Sequence, residues 1–130
     1  ERVNEMSASA FMEYKNWVVA GDVVNEEKYA YKIKRRLEEA GYRVSGMKPG
    51  LSQEGVYPSL KEVPYKVEVL DLCINPKAGI KVVQEAKELG IDKILIQPGA
   101  ESEEIINYCK ENSIEAVEGC ALVELSRLKK

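Results

Sequence analysis

Histidine is absent from the 130 residues. That removes the commonest general base, the usual catalytic triads and most zinc sites. Any chemistry would have to use Asp, Glu, Lys, Tyr or Cys, which counts against a hydrolytic enzyme. Cysteine is scarce: there are three, Cys73, Cys109 and Cys120, and no CxxC pair. An odd number without close spacing excludes a disulfide framework and a zinc ribbon, so a reduced, cytoplasmic protein is expected. No apolar run approaches the roughly 18 residues of a membrane span, and the first residues lack the apolar block of a signal peptide, so no membrane partner is expected. An excess of positive charge is also missing. The formal net charge of −3 argues against a general nucleic-acid binder. The G-x-G-x-x-G fingerprint of ordinary dinucleotide sites does not occur.

What is present describes an ordinary globular chain. A hydrophobic share of 45% and a charged share of 32% fit one soluble domain spanning 1–130. Met6, Ala10 and Phe11 share a helical face, predicting a leading helix within 1–15. "NWVVAG" (16–21) is a short apolar run that stops at Gly21 and reads as a buried strand. Asn25 then reads as the N-cap of a helix over 26–40, with Glu26 and Glu27 at its positive end and Gly41 after its last turn. "YRVSGM" (42–47) is a second strand, broken by Lys48, Pro49 and Gly50. A short helical turn with Ser59 as N-cap follows at 58–63. "KVEVLDLCI" (66–74) is a third strand, and Asn75 and Pro76 open the next helix. "KILIQ" (93–97), a helix capped by Ser102, "IEAVE" (114–118) and a last helix over 121–130 complete the pattern.

Strands and helices alternate, predicting an α/β fold: a Rossmann-like, doubly wound, parallel five-stranded sheet in three α/β/α layers. The order 3-2-1-4-5 is expected first and the flavodoxin-like 2-1-3-4-5 second. In such sheets ligands bind beyond the carboxyl ends of the strands. Those ends are Gly21–Val24, Met47–Gly50, Ile74–Pro76, Gln97–Ala100 and Glu118–Cys120. Lys28 and Lys32 stand one turn apart beside the first glycine turn, suited to flank a phosphate or to form a solvated face. Asp22 competes with a bound anion there. Tyr29 lines a nucleotide cleft or packs. A classical NAD site wants an acidic residue at the second strand end, to bond the ribose hydroxyls. Lys48 stands there instead, suited to a phosphorylated ribose or simply a solvated lysine. Cys120 reads as a structural thiol at a strand end.

The segments "GDVVNEEKYAYKI", "GYRVSGMKPG", "VYPSLKEVP", "VEVLDLCINP", "ILIQPGAESEE" and "EGCALVE" together resemble the small stand-alone CoA-binding proteins. These are relatives of the CoA-binding domain in the succinyl-CoA synthetase alpha subunit. The resemblance covers roughly 16–125. It implies a Rossmann-type fold that binds CoA or an acyl-CoA as its cofactor or ligand across the strand ends, more a binding module than an enzyme. The residues it implies are Gly21, Asp22, Val23, Val24 and Asn25 against the pyrophosphate, and Lys28, Tyr29 and Lys32 at the helix start. Lys48 and Pro49 would lie near the adenosine ribose, with Asn75 and Pro76 at the third strand end and Gln97 and Gly99 at the fourth. The chain departs from the family pattern at Val23, where serine is typical, and at Lys48, where asparagine is. It also departs near Ile74 and Gly119, where the family carries arginines. No catalytic or metal-ligating set follows from the resemblance. Two other functions share the same cleft: a regulatory module sensing NAD(H) or another nucleotide, and a CoA-binding subunit of an acyl-CoA ligase whose partner chain is unknown.

Overall fold

The computed structural model describes residues 7–128. Six strands form one sheet, and every pairing between them is parallel: β1 (Asn16–Gly21), β2 (Arg43–Met47), β3 (Val56–Tyr57), β4 (Val69–Cys73), β5 (Lys93–Ile96) and β6 (Glu115–Glu118). Their order is β3-β2-β1-β4-β5-β6. The sheet is Rossmann-like, 3-2-1-4-5 lengthened by one strand once the short β3 is counted, while the five strands expected lie among themselves as 2-1-3-4-5. The third place belongs to β3, two residues long, and the strand expected as third becomes β4 and pairs with β1. A two-residue strand carries no alternation to recognise. It exists because the Gly46 N–H donates to the Gly55 carbonyl and the Lys48 N–H to the Tyr57 carbonyl.

Helices α1 (Ala8–Phe11), α2 (Tyr29–Glu39), α3 (Pro76–Glu88), α4 (Glu103–Glu111) and α5 (Ala121–Leu128) cover the two faces. Alternation along the strands decides which face each residue serves. Val18, Ala20, Leu70, Leu72, Ile94 and Ile96 pack under Ile80 and Val83 of α3 and Ile105 of α4. Trp17, Val19, Val69 and Leu95 pack under Phe11 of α1, Ile33 and Leu37 of α2, and Leu125 of α5. Both clusters are continuous runs of aliphatic residues, as a sheet covered on both faces requires. Trp17, fully buried, stands edge-on to Tyr42 with ring centroids 6.0 Å apart, and its indole N–H donates to the Tyr14 carbonyl at 2.7 Å.

The element boundaries depart from expectation at the helix starts. α2 begins at Tyr29 with Lys28 as N-cap. Asn25 instead holds a turn: its side-chain oxygen accepts from the Glu27 N–H at 3.0 Å and its carbonyl from the Lys28 N–H at 2.9 Å. Asn is as good at such a turn as at a helix cap, so the residue type did not separate the two. Ser59 does precede a 3-10 turn, Leu60–Glu62, but its hydroxyl caps nothing there. The carboxylate of Glu85 on α3 accepts the Leu60 and Lys61 N–H groups at 2.9 and 3.1 Å, a long-range cap with no local signature. Asn75 and Ser102 cap α3 and α4 as expected, accepting from Ala78 and Ile105. The leading helix is one turn, Ala8–Phe11; Met6 and the rest of 1–6, and Lys129 and Lys130 of the last helix, lie outside the described residues.

Candidate functional site

The sheet order reverses between β1 and β4, whose chains leave toward opposite faces, α2 on one and α3 on the other. The carboxyl ends of these strands are therefore the place where a cleft opens. Gly21 lies at that point in register with Cys73. A Cβ on Gly21 would overlap the Cys73 carbonyl oxygen and touch Ala30 of α2, so only glycine lets β1, β4 and α2 meet this closely. The glycine serves the fold first, whatever lies above it.

On the α2 side, the turn after Gly21 presents mixed chemistry. Asp22 is partly buried, and its Oδ1 has no hydrogen-bond partner among the described residues. Val23 is 4% exposed and packs against Gly46 of β2, where a Cβ would fall 2.5 Å from its Cγ2. Its side chain belongs to the core, so only its backbone faces the turn. Serine in its place, as the family pattern has, would leave that contact thinner. Val24 and Asn25 are exposed. No acidic side chain lies in the first turn of α2, and no side chain caps it. Its leading N–H groups are thus free for an anion. Lys28 and Lys32 are exposed beside them, and the Lys32 ammonium lies 5.6 Å from the centroid of the exposed Tyr29 ring. By contrast, α4 opens with Ser102 as cap and Glu103 and Glu104 in its first turn, which uses its positive end internally.

On the α3 side, a cleft of about 570 Å³ lies between the ends of β2 and β4. Met47, Pro49, Ala78 and Val82 give it an apolar wall, and Asn75, Lys77, Lys81 and Glu85 its polar groups. Two expected residues, Pro49 and Asn75, meet here. Lys48, half-buried, is the residue between Met47 and Pro49, and its backbone is held in the β2–β3 ladder. Lys77 and Lys81 were not expected. They stand one turn apart on α3, and their spacing alone looked like any solvated helix face. Pro76 is the first helical residue of α3. Ile74 packs into the apolar cluster of this face.

At the end of β5, Gln97 is 3% exposed and its side-chain oxygen accepts the Ala121 N–H at 2.8 Å. It caps α5, which sequence spacing could not show. Gly99 is exposed at φ +94°, and its N–H donates to Glu101 at 2.8 Å. Gly119 lies under α1: a Cβ there would stand 3.1 Å from the Ala8 Cβ and 3.3 Å from Leu95. Among the described residues, no group of His, Cys, Asp and Glu could hold a metal ion, and no helix is long and apolar enough to cross a membrane.

Residues 15–126 match the CoA binding domain family. Among solved structures, a conserved hypothetical protein from Pyrococcus furiosus is 35% identical, with a TM-score of 0.78 over 85% of this chain and 99% of that one. A hypothetical protein from Pyrococcus horikoshii OT3 is 26% identical, with a TM-score of 0.86 over 98% of this chain and 96% of that one. An acetyl-coenzyme A synthetase from Candidatus Korarchaeum cryptofilum shares the fold at 18% identity and a TM-score of 0.65. That match covers 85% of this chain and 27% of the enzyme.

Proposed function

The chain belongs to the CoA binding domain family, and from that premise we propose that it binds CoA or an acyl-CoA across the carboxyl ends of β2, β1 and β4. The observation that carries the reading is the pairing of two unlike subsites at one sheet reversal. One is a helix start with free N–H groups and two lysines, and the other a cleft with an apolar wall bordered by Lys77 and Lys81.

The residues fit the ligand. CoA is a purine nucleoside with a 3′-phosphate, a pyrophosphate and a long thiol arm. The free N–H groups of α2, with Lys28 and Lys32, suit the pyrophosphate. The wall of Met47, Pro49 and Val82 suits the flat purine, and Lys48, Lys77 and Lys81 suit the extra phosphate. The backbone from Gly21 to Asn25 and the ends Asn75, Pro76, Gln97 and Gly99 would border the ligand, though Gln97 already spends its amide oxygen on α5. Asp22 opposes the pyrophosphate, and its unpartnered Oδ1 is better placed to accept from a ligand hydroxyl or amide.

Bound CoA supplies a thiol that carries acyl groups. What this chain's residues do is bind and orient it. An NAD(H)-sensing reading lacks the acidic residue at the end of β2, where Lys48 stands. Thermal unfolding with each ligand separates the two. A ligand bound only by the folded chain adds about 2.7 kcal/mol at a hundredfold excess over Kd. CoA is expected to raise the melting temperature by several degrees and NADH to leave it unchanged; the reverse pattern would replace CoA with NADH.

A further inference from the structure

One residue of the α3 cleft also holds the chain on the cleft's other side. Lys77, Ala78, Lys81, Val82 and Glu85 line the cleft from one stripe of α3. Lys77 stands beside the strand ends, and Glu85 lies about 12 Å further along the helix at its usual rise. There the half-buried Glu85 reaches the crossover that joins β2 to β4. Its Oε1 accepts the Leu60 N–H at 2.9 Å and its Oε2 the Lys61 N–H at 3.1 Å. The 3-10 turn at Leu60–Glu62 holds itself less tightly. The Glu62 and Val63 N–H groups donate to the Ser59 and Leu60 carbonyls at 3.4 and 3.2 Å. Hydrogen bonds to a carboxylate are charge-assisted and stronger than such neutral ones. Leu60 and Val63 are buried in the same apolar cluster as Met47 and Val82, which form the cleft wall. The turn therefore backs that wall, and Glu85 ties it to α3.

Lys81 stands one turn before Glu85, a spacing at which lysine and glutamate pair on a helix. Among the described residues no ion pair joins them. Both Glu85 oxygens are engaged by backbone N–H groups instead, and Lys81 is exposed at the cleft with its charge unmatched.

We propose that Glu85 is the positioning residue of the nucleoside subsite: it pins the crossover to α3, which fixes the width of the cleft, and leaves Lys81 unpaired for the phosphate on the ribose. The inference rests on the CoA reading for the identity of the ligand, and on the two hydrogen bonds alone for the pin. The pyrophosphate and thiol arm of CoA lie at α2 in that reading, so only the nucleoside end depends on Glu85. A crossover already held in place is not ordered again when the purine enters, which favours binding.

The test titrates the full chain and its variants Glu85→Ala and Glu85→Gln by calorimetry with three probes. These are CoA, adenosine 3′,5′-bisphosphate for the nucleoside end and 4′-phosphopantetheine for the arm. Glu85→Ala should weaken CoA and the bisphosphate on the order of tenfold and leave 4′-phosphopantetheine unchanged. Glu85→Gln keeps one acceptor at the same reach and should recover part of both losses; it gives the same contrast, smaller, where alanine unfolds the chain. Equal losses for all three probes, or undiminished CoA affinity in both variants, would overturn the role. Amide hydrogen exchange without ligand reads the pin by itself. Protection at 58–63 should fall in Glu85→Ala and less in Glu85→Gln, with α2 and β1 unchanged. Unchanged exchange at 58–63 would overturn the pin whatever the ligand. A parent chain that binds none of the three probes would overturn the CoA reading and the subsite role with it, while faster exchange in the variants would still support the pin.

Discussion

Gly21 and Cys73 face each other across β1 and β4 so closely that a Cβ on the glycine would overlap the cysteine carbonyl. The turn at Gly21 is thus tied to the sheet reversal by backbone contact, before any ligand is considered. Gly21→Ala should destabilise the fold by about 1–3 kcal/mol, the usual range for forced local strain. Urea unfolding would show a lower midpoint at an unchanged slope. A variant as stable as the parent would mean that the strands part without cost and that the glycine serves the ligand alone.

Val23 and Gly46 offer a second backbone-to-side-chain fit. Gly46→Ala should cost about 1–3 kcal/mol by overpacking against the valine. Adding Val23→Ala should recover part of that loss, so that the double variant is more stable than the two single losses imply. Additive losses would show that the two residues do not press on each other.

Asp71 gives the stability a pH dependence of definite sign. Burial raises its carboxyl well above the ordinary 3.8. The folded chain therefore holds a proton that the unfolded chain has released, and stability falls as pH rises from about 4 toward the folded value. Asp71→Asn removes the charging cost. Its stability relative to the parent should grow with pH by about 1.4 kcal/mol per unit across that window and level off above it. A difference independent of pH from 4 to 8 would mean that Asp71 is paired with a group that keeps it charged.

Lys48 tests how the adenosine end is read. A partly exposed lysine pairing with the 3′-phosphate should contribute about 1 kcal/mol. Lys48→Ala should weaken CoA several-fold and leave dephospho-CoA almost unchanged, with the preference shrinking in added salt. Equal losses for both ligands would hand the phosphate to Lys77 and Lys81.

Much of this arrangement was legible in the residue order. The aliphatic runs at 16–21, 69–73 and 93–96 and the caps Asn75 and Ser102 are local signals, and each lies where its pattern says. β3 was missed because its two residues are a strand only through hydrogen bonds made by β2. Asn25 was misread because an Asx turn and a helix cap use the same side-chain oxygen. The bonds of Glu85 to the 3-10 turn and of Gln97 to α5 span 24 or 25 residues, beyond any local pattern. Of the candidate site, the strand ends were readable from topology. The burial of Val23 and the placing of Lys77 and Lys81 at the cleft depend on packing between elements.

The central claim is that these strand ends hold CoA, and calorimetric titration of the purified chain with CoA tests it most directly. The account predicts saturable binding at one site per chain, weaker for dephospho-CoA and weaker again in high salt. Absence of heat and of any shift in melting temperature at millimolar CoA, under conditions where NADH binds, would contradict it.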